Sequence, residues 1–161
     1  IRHILLDDRN IISSESETLL FLAARAQLIQ EIILPQLNKG YVVLCDRYLD
    51  STLAYQGYGR GMNVDLINQM NLFATNKILP EATIIFDVSP QIIKSRKQTK
   101  NYDRIELEGL KFQERVRKGY LKIAKENHNR CIIVDCEDKG IMDIHLNIVD
   151  ILKTFTIGEL I

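Results

Sequence analysis

The sequence predicts an α/β fold in which helices cover both faces of a doubly wound parallel sheet. Three short apolar runs without alternation, residues 41–45, 82–86 and 131–134, have the pattern of strands buried on both faces. Each run is followed by a polar turn and a stretch with helical periodicity, and buried strands that alternate with helices form parallel sheets. Because no internal repeat or linker interrupts the chain, we expect a single domain over residues 1–161.

Helices account for most of the chain before the first predicted strand. Residues 1–6 resemble the tail of a helix. A capping box, Ser14-x-x-Glu17, is expected to open the next helix, whose apolar residues continue to Leu37. Pro35 is expected to kink the last turn of that helix, because proline cannot donate a backbone hydrogen bond.

Two further helices are predicted from apolar periodicity, over about residues 104–127 and residues 141–155. In parallel sheets of this kind, ligands bind at the carboxyl ends of the strands. That rule directs attention to the polar residues after the three predicted strands: Asp46 and Arg47, Asp87, and Asp135.

Composition excludes several classes of function. The chain carries 21 basic and 21 acidic residues, so it lacks the positive surplus that non-specific nucleic-acid binding requires. The three cysteines, Cys45, Cys131 and Cys136, form no metal-binding pattern and suit a reducing, cytoplasmic setting. No apolar run is expected to reach membrane-spanning length, and no leader pattern opens the chain, so we predict no membrane partner.

The polar segment after the first predicted strand, residues 46–61, combines acids, arginines, hydroxyls and three glycines. One interpretation is a solvated loop whose Asp46 caps the next helix and whose glycines serve tight turns. Such a loop does not explain Arg47, because a cation at the end of a buried strand is costly without an anion nearby. A phosphate gripped by the guanidinium would supply that anion.

Phe21 and Arg25 are four residues apart and therefore project from one face of the first long helix. Phe21 could be an ordinary core residue and Arg25 a surface charge. The alternative is a binding function, in which the aromatic ring stacks on a base and the guanidinium bonds the base's carbonyl edge.

A basic run lies between residues 94 and 104. Such a run is usually a solvated face. The alternative is a mobile lid that closes over phosphates and stabilises charge on a transferred group. Its cations are Lys94, Arg96, Lys97, Lys100 and Arg104.

Together these segments resemble the bacterial thymidylate kinase family. Phe-Leu-Ala-Ala-Arg-Ala-Gln at residues 21–27 is similar to the family's base-binding helix, and residues 46–61 are similar to its signature stretch. Asp-Val-Ser-Pro at residues 87–90 and Asp-Arg-Ile-Glu at residues 103–106 match the edges of its lid.

The resemblance implies a P-loop nucleoside-monophosphate kinase that transfers the γ-phosphoryl group of ATP to dTMP, with Mg²⁺ as cofactor. It implies that Phe21 stacks on thymine and that Arg25 bonds the thymine O4. Arg47 would grip the acceptor phosphate, while Asp46 helps to orient the phosphates and the water molecules of the magnesium ion.

The resemblance implies further contacts to base and sugar. Thr52 and Gln56 would meet the polar edge of the base. Tyr55 would lie against the sugar and exclude a 2′-hydroxyl. The lid cations would be Arg104, as a catalytic residue, together with Arg96 or Lys100.

The sequence departs from the family in one respect. It contains no Gly-x-x-x-x-Gly-Lys-Ser/Thr loop and no Arg-Glu-Pro-Gly-Gly segment. Because the chain begins at Ile1 with a helix-like segment, we expect the first strand, loop and helix to lie upstream, and activity to require them. The resemblance also implies a homodimer, formed through the apolar helix from Leu19 to Leu37.

Two other functions stay open from the sequence alone. The acceptor could be a different deoxynucleotide or a deoxynucleoside. The chain could also be a non-catalytic nucleotide-binding or dimerisation module that lacks the ATP-binding loop.

Overall fold

The computed structural model describes residues 1–96 and 104–154, and it places two parallel strands side by side. Strand β1, Thr83–Asp87, pairs with β2, Cys131–Asp135, in a register that runs from Thr83 opposite Cys131 to Asp87 opposite Asp135. In the described part of the chain, helices lie between the two strands, as is usual for a parallel pair. The helices are α1 (Arg2–Leu6), α2 (Ser14–Leu28), α3 (Leu34–Leu37), α4 (Leu49–Thr52), α5 (Val64–Ala74), α6 (Pro90–Arg96), α7 (Leu110–Glu126) and α8 (Ile141–Thr154).

The first predicted strand, residues 41–45, is not formed, and this expectation was wrong for the structure described. Leu44 is 90% exposed and Tyr41 is 61% exposed. A strand needs a hydrogen-bonded neighbour, and among the described residues neither β1 nor β2 pairs with this segment.

The two strands that do form are not buried on both faces, contrary to the prediction. Ile85 of β1 is buried, whereas the neighbouring Phe86 is 57% exposed. In β2, Val134 is buried and Ile133 is 44% exposed. Because successive strand residues point to opposite faces, the described helices bury one face of the sheet more completely than the other.

The long N-terminal helix begins one residue earlier than the capping box predicted. Ser13 is the N-cap, and its Oγ accepts a hydrogen bond from the Ser16 amide at 3.2 Å. After α2, the chain forms a π-helical turn, Ile29–Ile33, and then the short helix α3. The widened turn immediately precedes Pro35, whose ring removes the N–H that a regular helix would donate.

The continuous helical stretch Ser14–Leu37 is long and apolar enough to cross a membrane by length and composition alone, contrary to expectation. Core helices of soluble proteins meet the same two criteria. Here two of its four charged residues, Glu17 and Arg25, are bonded to side chains of other helical segments, so this face of the stretch packs within the domain.

The signature segment is helical rather than a loop. Helix α4 continues into a π-helical segment, Leu53–Gly59, that packs along α7. Gly59 permits this approach, because a Cβ on it would lie 2.8 Å from the Phe112 ring. Helix α7 contributes several buried residues to the core, which contains Leu53, Ala54, Ile67, Ile85, Ile105, Phe112, Val116, Ile123, Ala124 and Cys131.

Helix α7 begins at Leu110 and not near residue 104 as predicted. A short 3₁₀ turn, Glu106–Glu108, comes first, and Gly109 follows with a φ of 80°. A left-handed residue ends one helical segment and starts another in a new direction. Helix α8 agrees with its prediction as far as Thr154, and residue 155 lies outside the described residues.

Candidate functional site

An open cleft of about 940 Å³ lies between α2, the segment after residue 45, the α4 region and the turn before α7. Its volume is that of a small-molecule site. The cleft brings together the residues that the sequence predicted to contact the base, the sugar and the acceptor phosphate: Phe21, Arg25, Asp46, Arg47, Thr52, Tyr55 and Gln56.

Phe21 is both a core-packing residue and part of the cleft wall. The side chain is partly buried and packs against the hydrophobic core, yet it also lines the cleft. Core packing fixes the position of the ring, and a fixed aromatic ring at the wall of a cleft is suited to stacking on a planar base.

Arg25 extends from α2 into a set of neutral hydrogen-bond acceptors. Its Nη1 donates to Thr52 Oγ1 at 2.8 Å and to Asn71 Oδ1 at 2.9 Å, and its Nη2 donates to the Tyr48 carbonyl at 3.0 Å. Burial lowers the pKa of Arg25 below its ordinary value. The guanidinium is therefore oriented, and no carboxylate among the described residues pairs with it.

Arg47 stands at the rim of the cleft in an unusual backbone conformation. Its φ is 66°, in the left-handed region that residues other than glycine rarely adopt. The exposed guanidinium lies 5.1 Å from the centre of the Tyr55 ring, and among the described residues no carboxylate forms a salt bridge with it. Such strain occurs where surrounding structure enforces it, often at functional sites.

The π-helical segment and the residues just before it present the other predicted side chains. Tyr55 is held by a tilted contact to the Phe112 ring and an edge contact to the Tyr120 ring, at centroid distances of 6.1 and 6.2 Å. Burial raises the pKa of Tyr120 to about 12, so this phenol keeps its proton in its 2.7 Å hydrogen bond with Ser51. Single widened helical turns are frequent at functional sites because they redirect side chains.

Glu17 is the main feature of the site that sequence reasoning missed. It was expected to serve a capping box, but its carboxylate is 1% exposed and accepts from Gln56 Nε2 at 2.9 Å and Arg60 Nη2 at 3.0 Å, and also from Arg104. Burial alone would raise the pKa of Glu17, but the hydrogen bonds from Arg60, Gln56 and Arg104 lower it below its ordinary value.

A signal for Glu17 is present in the sequence. Glu17, Phe21 and Arg25 are spaced four residues apart and therefore lie along one face of α2. The spacing of Phe21 and Arg25 was recognised, and extending it by one step backwards would have placed an acid on the same face.

Of the predicted lid cations that the structure describes, Arg96 and Arg104 do not line the cleft. Arg96 donates to the carbonyls of Cys136, at 3.1 Å, and Glu137, while Arg104 donates to the Leu5 carbonyl at 3.0 Å and to Glu17. Lys94 does line the cleft. Lys100 and Lys97 lie outside the described residues, so a lid over residues 94–104 stays a prediction.

Asp50, in the signature segment, has a structural partner. Both of its carboxylate oxygens accept from Arg130, at 2.7 and 2.8 Å, and Oδ2 also accepts from Thr83 Oγ1 at 3.0 Å. Asp50 is 2% exposed. This buried ion pair ties α4 to the residue before β2, and the hydrogen bond from Thr83 ties α4 to the start of β1.

Few described side chains of the cleft could bind a metal ion. In residues 1–96 and 104–154, no group of three or more His, Cys, Asp or Glu side chains could enclose an ion. Asp46, one of two carboxylates that line the cleft in the described part of the chain, fits a magnesium ion that keeps most of its water and is held chiefly by phosphate oxygens.

The parallel sheet, and a cleft that combines an aromatic wall with Arg25 and Arg47, which have no carboxylate partner among the described residues, define the class of protein. It is an α/β protein with a cleft suited to a nucleotide.

Comparison with known proteins identifies the family within that class. The sequence model described as thymidylate kinase matches residues 1–148. A thymidylate kinase of Thermoanaerobacter sp. (strain X514) is 40% identical over 155 residues, which are 96% of this chain and 76% of that protein. A thymidylate kinase of Thermosipho africanus is 44% identical over 154 residues, 91% of this chain and 77% of its own length.

A solved structure supports the same assignment. The crystal structure of thymidylate kinase from Ehrlichia chaffeensis matches with a TM-score of 0.69 and 34% identity over 89% of this chain, which spans 66% of that protein's chain. The chain belongs to the thymidylate kinase family. The predicted family, the fold class and, at the level of the family, the predicted function are confirmed.

Proposed function

We propose that the full-length protein transfers the γ-phosphoryl group of ATP to dTMP, giving dTDP and ADP, and that the cleft described here is its dTMP site. One observation supports this most strongly. Phe21, Arg25 and Arg47 line a single cleft, and neither guanidinium is neutralised by a carboxylate of the described residues.

The base would lie against Phe21. Arg25 has N–H groups left to bond the O4 carbonyl, and Thr52, whose oxygen accepts from Arg25, keeps its own O–H for donation. Gln56 donates one N–H to Glu17 and lines the cleft, so its carbonyl oxygen can accept from the N3–H of thymine. Tyr55, held by its aromatic neighbours, would leave no room for a 2′-hydroxyl.

The phosphate of dTMP would be gripped by Arg47. A planar guanidinium can bond two phosphate oxygens at once, which fixes the direction of the acceptor as well as its charge. The acceptor phosphate is already an anion, so no general base is required. Catalysis would come from alignment of the two phosphates and from electrostatic stabilisation of the transferred group.

The remaining components of the reaction are proposed from the family. Mg²⁺ would be held by the phosphates, with Asp46 hydrogen-bonded to its water molecules, and it would supply charge neutralisation. The loop that binds ATP is absent from the 161 residues, so activity would require a loop of the Gly-Lys-Ser/Thr type elsewhere in the protein. We place the protein in the cytoplasm and regard it as one domain with a lid over residues 94–104.

A panel of nucleoside monophosphates tests the proposal. The full-length protein is assayed with ATP, Mg²⁺ and one acceptor at a time, and ADP release is followed. The acceptors are dTMP, dUMP, dCMP and ribothymidine monophosphate, which differs from dTMP by its 2′-hydroxyl. We expect kcat/KM to be highest for dTMP. If dUMP or dCMP exceeds dTMP, the acceptor is another deoxynucleotide, and if no acceptor releases ADP, the proposed catalytic function is wrong.

We also propose a homodimer formed through the long N-terminal helix. Three apolar side chains of this helical stretch, Leu19, Ile32 and Leu37, are 56%, 50% and 42% exposed. Contact with a second copy of the chain would remove apolar surface from water, which is favourable. Sedimentation equilibrium should give twice the monomer mass, and Ile32→Lys should shift the equilibrium to monomer. A monomer at micromolar concentration would contradict the proposal.

A further inference from the structure

The environment of Arg25 contains a residue whose role is not explained by packing alone. Asn71, on α5, is 1% exposed and bonds in two directions. Its Nδ2 donates to the Leu49 carbonyl at 3.1 Å, and its Oδ1 accepts from Arg25 Nη1 at 2.9 Å. Because a carbonyl oxygen can only accept, the bond to Leu49 fixes which end of the amide faces Arg25.

The guanidinium of Arg25 keeps unused bonding capacity. It has five N–H donors, and three of them are used in bonds to Thr52, Asn71 and Tyr48. The Nε–H and one Nη2–H have no hydrogen-bond partner among the residues that the structure describes. Since Arg25 lines the cleft, these donors and the positive charge are available to a ligand.

Asp50, a carboxylate that acts on Arg25 electrostatically, is already paired with Arg130. Asp50 lies close enough to influence Arg25 electrostatically. Both oxygens of Asp50, however, are bonded to Arg130, in a pair that is almost fully buried. Arg25 is thus oriented by neutral groups, namely three oxygens and the Tyr48 ring, whose centre is 5.7 Å from the guanidinium carbon, and no carboxylate among the described residues forms a salt bridge with it.

We propose that Asn71 is a positioning residue that sets the base specificity of the cleft by holding Arg25 with a neutral oxygen. The guanidinium then presents its full charge to the pyrimidine 4-position, where it attracts a carbonyl and repels an amino group. This inference rests on the proposed function, because it takes the cleft to be the dTMP site. Asparagine, unlike aspartate, orients the cation without forming a salt bridge.

The test changes the charge of residue 71 and measures discrimination at the 4-position of the base. The full-length Asn71→Asp variant is compared with wild type for kcat/KM with dTMP and with dCMP, and for thermal stability. Asn68→Asp is the matched control, because it makes the same change at an exposed site of the same helix. We expect the dTMP-to-dCMP ratio to fall about tenfold or more in Asn71→Asp, chiefly through KM for dTMP, and to stay unchanged in Asn68→Asp.

A purely structural role predicts a different result. Asn71→Asp would then lower kcat/KM for dTMP and dCMP by the same factor, in parallel with stability, and an unchanged ratio would overturn the inference. Asn71→Ala provides a second variant in case the aspartate prevents folding. It removes the acceptor but adds no charge, so the ratio should fall by less, and a ratio equal to wild type would again overturn the inference.

Arg25→Ala separates failure of this inference from failure of the proposed function. If Arg25→Ala leaves the ratio at the wild-type value, the proposed contact between Arg25 and the base is wrong and the inference is overturned with it. If Arg25→Ala abolishes discrimination while both Asn71 variants keep it, only the inference is overturned.

Discussion

The arginines at the two ends of helix α2 have opposite kinds of partner. At the Glu17 end, Arg60 and Arg104 both form salt bridges with the buried Glu17 carboxylate, so both cations are paired with an anion of the protein itself. At the Arg25 end, the guanidinium has only neutral acceptors and faces an open cleft. The arrangement of partners, and not the presence of arginine, distinguishes a structural ion pair from a site prepared for an anionic or carbonyl ligand.

The Glu17 end is expected to contribute mainly to stability. Glu17→Ala would leave two arginines without their shared anion, and removal of one member of a buried ion pair costs about 3–5 kcal/mol of unfolding free energy. Urea denaturation of the full-length protein measures this change. Glu15→Ala, an exposed acid on the same helix, is the control and should change stability little. Equal effects of the two substitutions would remove the distinction between the two ends.

The cleft is expected to contribute mainly to catalysis. Arg47→Ala should lower kcat/KM for dTMP by about 10²–10³-fold, because a preorganised charge on the reacting phosphate is lost, and Arg47→Lys should restore only part of it. Steady-state kinetics measures the loss.

Lys77→Ala is the control for Arg47→Ala. Lys77 is also an exposed cation with positive φ, 60°, but it does not line the cleft. Its replacement should leave kcat/KM unchanged. An Arg47→Ala enzyme with near-wild-type rates would show that Arg47 does not hold the phosphate.

The smallest expected effect is on the pH dependence of stability. The pKa of Glu17 is below its ordinary value in the folded protein. In acid, Glu17 therefore takes up a proton more readily in the unfolded state than in the folded state. The stabilisation is fully present above the unfolded pKa of about 4.3 and is lost as pH falls towards the folded pKa.

Glu17→Gln removes this titration. The difference in unfolding free energy between wild type and Glu17→Gln, measured in urea at pH 7, 5 and 4, should therefore be largest at pH 7 and smallest at pH 4. A difference that grows as the pH falls would contradict the described environment of Glu17.

Local sequence patterns predicted much of the fold. The apolar runs located β1 and β2, and helical periodicity located α2, α7 and α8. Residues 41–45 were predicted wrongly because a strand depends on its neighbours as well as on its own residues. The start of α7 was missed because Gly109 adopts a left-handed conformation, which the apolar rhythm does not reveal.

The site was predicted where one segment carries the motif and missed where distant segments meet. Phe21 with Arg25, and the signature stretch around Arg47, are short-range patterns that a single sequence displays. Asn71 bonds a residue 46 positions away, and Glu17 bonds one 39 positions away. Local spacing places Glu17 on the same face of α2 as Phe21 and Arg25, but it does not identify the distant partner of either Glu17 or Asn71.

A crystal structure of the full-length protein with dTMP tests the central claim most directly. We predict the thymine ring stacked on Phe21, its O4 within about 2.7–3.2 Å of an Arg25 nitrogen, and its phosphate bonded to Arg47. If dTMP binds elsewhere, or binds in the cleft with its base away from Phe21 and Arg25, the proposed assignment of the site is wrong.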